Sequence, residues 1–351
     1  MRSLYLFLAL IIAAFTLNAQ PQGYYDGTEG LTGNDLKNGL HNIIKNDDHL
    51  SYNGMWSAYQ ATDKRPGTNY VWDIYSDVPN GTPPYNFTFV TDQCGSYSDE
   101  GDCYNREHLW AQSWTSNDGT QKTDLHHVYP TDGYVNNRRG NFAFGEVRNA
   151  TWTSRNGSKL GNNTVSGFNG TVFEPIDEYK GDIARALMYV SVRYYREDNQ
   201  WDNSDMTTKS VIKDWAMTML IRWHREDPVS EKEINRNNAV YGKQGNRNPF
   251  VDNMDFAELI WVPGWEGVEE TEYTALVDVW PNPATSTVNI KGENLNAVYM
   301  YNAMGQLVLQ IDMQSVDSQA VIDVSGFNSG IYFMNVISEN GNSTLKKVVV
   351  Q

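Results

Sequence analysis

The sequence predicts an α+β protein whose centre is a strand–loop–strand–helix unit, surrounded by helices and followed by a small C-terminal β-sandwich. Three observations carry that prediction. Residues 105–141 hold two short apolar runs parted by the polar loop TSNDGTQKT, and the second run breaks at Pro130 before a helix-compatible stretch. Residues 35–49, 182–195 and 213–224 repeat their apolar side chains at helical spacing. After Trp261 the pattern changes to short alternating runs separated by turn residues, the period of half-buried strands.

A chain of 351 residues with 40% hydrophobic residues has material for two domains and a globular core. It opens with Arg2, the apolar run LYLFLALIIAAFTL and the small residue Ala19, which predicts a signal peptide over residues 1–19, cleaved before Gln20. That run is too short for a stable membrane anchor, and no other stretch approaches the ~18 uninterrupted apolar residues of a span. Residues 20–262 then form the main domain. In residues 35–49, Leu36, Leu40, Ile43 and Ile44 share a helix face and Asp35 stands near the start. VWDIYSD and YNFTFVTD predict two strands around a PNGTPP turn. Residues 106–114 and 124–129 are the two central strands, and residues 132–141 begin the central helix. RNATWTSRNGSKLGNNTVSGFNG reads as loops with a short hairpin. Residues 182–195 and 213–224 are scaffold helices, and residues 234–242 a further helix closed by Gly242.

Export to an oxidising compartment makes the two cysteines worth pairing. Cys94 and Cys103 sit in TDQCGSYSDEGDC, and a bond there would contribute roughly 2 to 3 kcal/mol by the chain-entropy estimate. As a zinc site they lack a second pair or a close His.

The net charge of −16 reads poorly for a partner of polyanions until it is divided by region. Residues 101–250 hold 19 acids and 19 Lys plus Arg, against 24 acids and 8 bases elsewhere. The basic residues therefore concentrate in the centre, compatible with a local basic groove and modest, salt-sensitive affinity for nucleic acid.

That same centre carries the chemistry. NREHLWAQSW and TDLHHVYPTDGYVNNRRGN place Glu107 and His108 side by side, His126 and His127 shortly after, and Asn and Arg residues beyond. Phosphodiester cleavage needs a base for water, a hard cation for developing charge and a cationic side chain for the phosphate. His108, the pair Glu107 with Asn136, and Arg138 or Arg139 are residues of those kinds. Glu and Asn oxygens suit one magnesium, calcium or manganese ion better than zinc.

NREHLWAQSW, DLHHVYPTDGYVNNRRGNFAFGEV and the later QGNRNPFVDNMDFAELIW resemble the endonuclease I family of secreted bacterial nucleases, over roughly residues 35–261. The resemblance implies a ββα-metal (His-Me finger) site that cuts DNA, RNA or both with little sequence preference, leaving 5′-phosphates. It implies His108 as general base, Glu107 and Asn136 as protein ligands of one divalent cation, Mg2+ above Ca2+ or Mn2+, and Arg139 as the phosphate grip, with an Arg139 that pairs with an acid to orient the helix as the equal alternative. Lys122, Asp124, His126, Arg138, Asn141 and Arg247 are further candidates to touch phosphate or support those groups. Periplasmic relatives carry an Arg in a longer loop where this chain has TSNDGTQKT with Lys122, and many have His-Asn where it has His126 and His127.

PGWEGVEETEYT, without Lys or Arg, predicts an acidic linker over residues 263–274. VDVWPNPATSTVNI, YNAMGQLV, SGIYFMNV and the terminal KKVVVQ resemble the C-terminal sorting domain of the type IX secretion system, over residues 275–351. That implies export through the periplasm of a Gram-negative bacterium to the surface or medium by that machinery, and the mature protein is expected to be a monomer. The rivals are an adhesive or carbohydrate-binding sandwich at this end, and a nuclease fold that binds nucleic acid without cutting it. A protease reading lacks both a spaced zinc pair and a nucleophile elbow.

Overall fold

A computed structural model of the chain describes residues 20–115, 119–262, 264, 277–292, 295–302, 307–313, 319–338 and 343–351. The predicted signal peptide over residues 1–19 and nearly all of the predicted acidic linker lie outside the described residues. The chain divides into two units, Met1–Gly267 and Val268–Gln351.

The first unit opens with α1 (Gly33–Ile44), which buries Leu36, Leu40 and Ile44 on one stripe. It stops before the predicted end at residue 49, and the Asp48 amide goes to the Gln244 carbonyl at 2.8 Å instead of continuing the helix. A second helix, α2 (Met55–Thr62), was not predicted; Met55, Ala58, Tyr59 and Thr62 form its buried face. The strands expected over residues 71–77 and 85–92 are absent: isolated bridges Lys64↔Val71 and Tyr70↔Thr88 replace a ladder. Asp73 is the cause. Its Oδ1 accepts from the Tyr75 amide at 2.8 Å and turns the chain.

Strands β1 (Tyr104–His108) and β2 (Val128–Asp132) pair antiparallel, with Glu107 opposite Tyr129 and His108 opposite Val128. β1 ends sooner than predicted, because residues 112–114 form a 3₁₀ turn. β2 starts at Val128 instead of residue 124 and runs through Pro130, which a two-stranded ribbon tolerates because each strand has a free edge. Helix α3 (Gly133–Arg139) follows at once. Asp132 caps it, accepting from the Val135 amide at 2.8 Å, and its own amide donates to Asp73 Oδ2 at 3.0 Å.

The stretch read as loops with a short hairpin holds that hairpin, within a four-stranded sheet. Strands β3 (Ala143–Phe144), β4 (Val147–Thr153), β5 (Lys159–Asn163) and β6 (Thr171–Glu174) lie in the order β3-β6-β5-β4, with β3 parallel to β6. Helix α4 (Lys180–Arg193) is buried along nearly its whole length. The hairpin β7 (Thr207–Thr208) and β8 (Val211–Ile212) leads to α5 (Asp214–Glu226), which packs on α4. Helix α6 (Glu231–Gln244) exceeds its prediction at both ends: Ser230 and Glu233 form a capping box, and Gly245 closes it at φ 76°. Short helices α7 (Pro249–Asp252) and α8 (Asp255–Trp261) complete the unit.

Among its described residues, the regular structure of the second unit is strand. Strands β9 (Asp278–Trp280), β10 (Thr287–Lys291) and β13 (Gln319–Asp323) form one sheet. Strands β11 (Leu295–Asn302), β12 (Leu307–Asp312), β14 (Gly330–Ser338) and β15 (Ser343–Val350) form the other. Val288 and Ile290 on β10 join Val298, Met300, Met334 and Val336 in a separate core, the period-2 burial of a sandwich.

Candidate active site

The β1–β2–α3 unit brings Glu107, His108 and Asn136 to one cavity of about 230 Å3, which Arg106, Gln112 and Arg139 also line. Two larger cavities, about 920 and 930 Å3, lie elsewhere in the first unit and hold none of these residues.

His108 is buried, and its ring is held at both nitrogens. Nε2 lies 3.0 Å from the Lys122 carbonyl, which can only accept, so Nε2 carries the proton. Nδ1 is then the lone-pair nitrogen, and it accepts from the Gln112 amide at 3.1 Å. Burial, then the neighbouring His127, lowers the imidazole to about 3, so the ring is neutral. The side chain of Gln112 was not anticipated, although it stands four residues after His108.

Glu107 is 2% exposed. Its Oε1 accepts from the Tyr75 hydroxyl at 2.8 Å and lies 3.3 Å from Arg139 Nη1. Burial pushes the carboxyl above its ordinary range against the opposing pull of Arg139 and Tyr75. Asn136 donates from Nδ2 to Asn105 Oδ1 at 2.7 Å and to the Arg106 carbonyl at 3.2 Å. Two acceptors fix the amide so that Oδ1 is the oxygen left over. The His108 amide also favours the charged form of the Glu107 carboxylate. One carboxylate and one amide oxygen on the same cavity are a donor set that fits a hard divalent cation.

The predicted cations differ in what they touch. Arg139 is fully buried and donates to the His108 carbonyl at 2.8 Å and the Leu109 carbonyl at 2.7 Å, which ties α3 to the end of β1. With the Glu107 ion pair, these bonds engage the guanidinium within the fold while the side chain still lines the cavity. Arg247 is likewise buried: Nε and Nη2 each reach Asp252 at 2.7 Å, so it closes its own turn and does not line the cavity. Arg138 is exposed, bonds Tyr134 at 2.8 Å and is outside the cavity lining. Lys122 holds His108 through its carbonyl, while its Nζ lies 5.1 Å from the Tyr52 ring. Asn141 lines the cavity and bonds Ser113 at 3.2 Å.

His126 and His127 lie on a turn instead of alternating along a strand, and both are buried. His126 donates to the Asn246 carbonyl at 3.1 Å, and burial lowers it to about 4 despite Asp124. His127 bonds the Gln121 carbonyl at 2.7 Å, and its ring stands edge-on to His108 at 6.0 Å. Asp124 accepts from the His126 amide, Gln244, Tyr189 and Tyr194 within 3.0 Å, which makes it a buried hub of the scaffold. Cys94 and Cys103 are bonded, with Cα atoms 5.7 Å apart, immediately before β1.

The family model described as Endonuclease I matches residues 32–255, and the one described as a secretion system C-terminal sorting domain matches residues 278–351. An extracellular ribonuclease of Bacillus subtilis is 36% identical over 251 residues, covering 69% of this chain and 80% of that protein. An extracellular ribonuclease of Bacillus amyloliquefaciens is 35% identical over 257 residues, covering 71% and 81%. An extracellular deoxyribonuclease of Aeromonas hydrophila is 26% identical over 132 residues, covering 37% and 49%.

Proposed function

The chain belongs to the endonuclease I family and is a secreted nuclease, and on that premise we propose that it hydrolyses RNA and DNA with little sequence preference, using one divalent cation and leaving 5′-phosphates. The carrying observation is the state of His108. A neutral ring with its proton committed to the Lys122 carbonyl leaves Nδ1 as a base on the cavity that holds Glu107 and Asn136.

Glu107 Oε2 and Asn136 Oδ1 would hold the cation, magnesium before calcium or manganese. Bound there, it would supply charge neutralisation at the attacked phosphate and at the departing oxygen. His108 Nδ1 takes a proton from water, after the Gln112 amide yields its place, and that water attacks phosphorus opposite the 3′ oxygen. The 3′ oxygen leaves and takes a proton from solvent, and the phosphate stays on the 5′ side. Lys122 fixes the ring from behind through its carbonyl, and Tyr75 and Arg139 fix Glu107.

The names of the two Bacillus relatives support RNA as a substrate, and that of the Aeromonas relative supports DNA. The sorting domain supports export by the type IX machinery of a Gram-negative bacterium, with residues 20–262 as the nuclease domain and residues 275–351 as the export domain. The decisive assay gives purified protein plasmid and ribosomal RNA with and without chelator. Cleavage of neither with any divalent cation, by folded protein that still binds nucleic acid, would favour the non-cutting rival.

A further inference from the structure

Arg106 stands immediately before Glu107 on β1 and lines two cavities at once. One is the catalytic cavity, and the other, about 440 Å3, is walled by Tyr52, Trp56, Gln93, Cys94 and Asn105. That volume lies within the roughly 300 to 1,000 Å3 of small-ligand sites. The guanidinium sits 3.6 Å from the Tyr52 ring centroid and 4.3 Å from that of Trp56. Nη1 donates to the Tyr52 carbonyl at 2.7 Å. Its other N–H groups reach no described residue, and no described carboxylate pairs with it.

The contrast with the buried arginines of the unit is chemical. Arg139, Arg185, Arg193, Arg236 and Arg247 each face a carboxylate within 4 Å, so their charge is spent inside the fold. Arg106 is a half-buried cation ordered by two aromatic rings and left without a counterion beside the reacting groups. An unpaired cation in that position is stabilised when an anion arrives, and a planar fork with free donors suits two phosphate oxygens.

We propose that Arg106 grips a substrate phosphate and that the Tyr52–Trp56 cavity receives the adjoining nucleotide. The proposal rests on the nuclease reading above and adds to it a subsite and a phosphate ligand. The aromatic walls offer the nucleotide's base a sequence-tolerant surface, the kind of contact single strands use.

The test measures binding of a labelled single-stranded oligonucleotide to the full chain in chelator, where nothing is cut, across a range of salt. Arg106→Gln should weaken binding about tenfold, as loss of a charged hydrogen bond does. It should also reduce the slope of log affinity against log salt by about 0.7, one phosphate contact on a single strand. A merely structural arginine would leave that slope alone. Gln93→Glu, which puts a carboxylate into the second cavity, should weaken binding comparably and leave the melting temperature unchanged. A folded Arg106→Gln with the wild-type slope overturns the proposal. Should that variant fail to fold, wild-type binding by Gln93→Glu overturns it instead. Cleavage with divalent cation is read separately, so failure of the catalytic reading shows as binding without turnover.

Discussion

Glu107 and Arg139 form a buried ion pair, Oε1 to Nη1 3.3 Å, and the same guanidinium holds the carbonyls of His108 and Leu109. One side chain thus sets the carboxylate and closes the strand that carries the base. Lysine cannot reproduce that fork. Arg139→Lys should therefore lose stability on the order of 3 kcal/mol, the scale of a broken buried pair. Calorimetry should show the drop in melting temperature. A variant that melts like the wild type but turns over slowly would return Arg139 to the role of phosphate grip.

His108→Ala should keep its fold and its affinity for oligonucleotide while cleavage falls about 10² to 10⁴ fold, the range for a positioned base. Single-turnover rates at saturating cation check it. Near-wild-type rates would remove His108 from the reaction.

Chelator should stop cleavage reversibly, with magnesium, manganese or calcium restoring it. Two protein oxygens leave the rest of a hard cation's shell to water and substrate, so exchange should be fast. Glu107→Gln and Asn136→Ala should each raise the cation concentration needed for half-maximal rate. Full activity in excess chelator sinks the cation assignment.

His224 gives a pH prediction away from the site. It is fully buried, donates to the Met254 carbonyl at 3.0 Å and accepts from Arg185 at 3.3 Å. Burial, then Arg185, lowers it to about 4 from 6.5. The unfolded chain binds the proton below 6.5 and the folded chain only near 4, so this stability is present above 6.5 and lost as pH falls toward 4. Urea denaturation at pH 7 and 4.5 should show a larger loss in the wild type than in His224→Gln, whose amide can keep both bonds. Identical pH dependence in the two proteins would show His224 to be charged in the fold.

Much of the scaffold was legible because local period and tertiary burial agree. In α4 and α5 the apolar spacing is the core-facing stripe. In the second unit the alternation of Val288 and Ile290 is the inward face of a strand. Reading failed where a side chain competes with the backbone pattern. Asp73 turns a stretch of strand-forming residues and then braces the start of α3. The Asn- and Gly-rich segment after Gly145 forms its expected hairpin, but the extension of that ladder by β6 was not legible, because the partner strand supplies those hydrogen bonds whatever the segment's propensity.

By itself the sequence determined the order of chemical groups: Glu107 beside His108, Asn136 a helix turn beyond the second strand, two cysteines just ahead, and a sorting domain at the end. Adjacency and period are local, and a chain displays them openly. Which arginine is free was decided only by the tertiary structure. Arg106, Arg138, Arg139 and Arg247 look alike in a string, but burial beside Glu107 or Asp252 commits two of them to the fold, and aromatic rings hold Arg106 at the cavity without a counterion. A guanidinium's role is set by the anions within a few ångströms, and those come from residues far away in the chain.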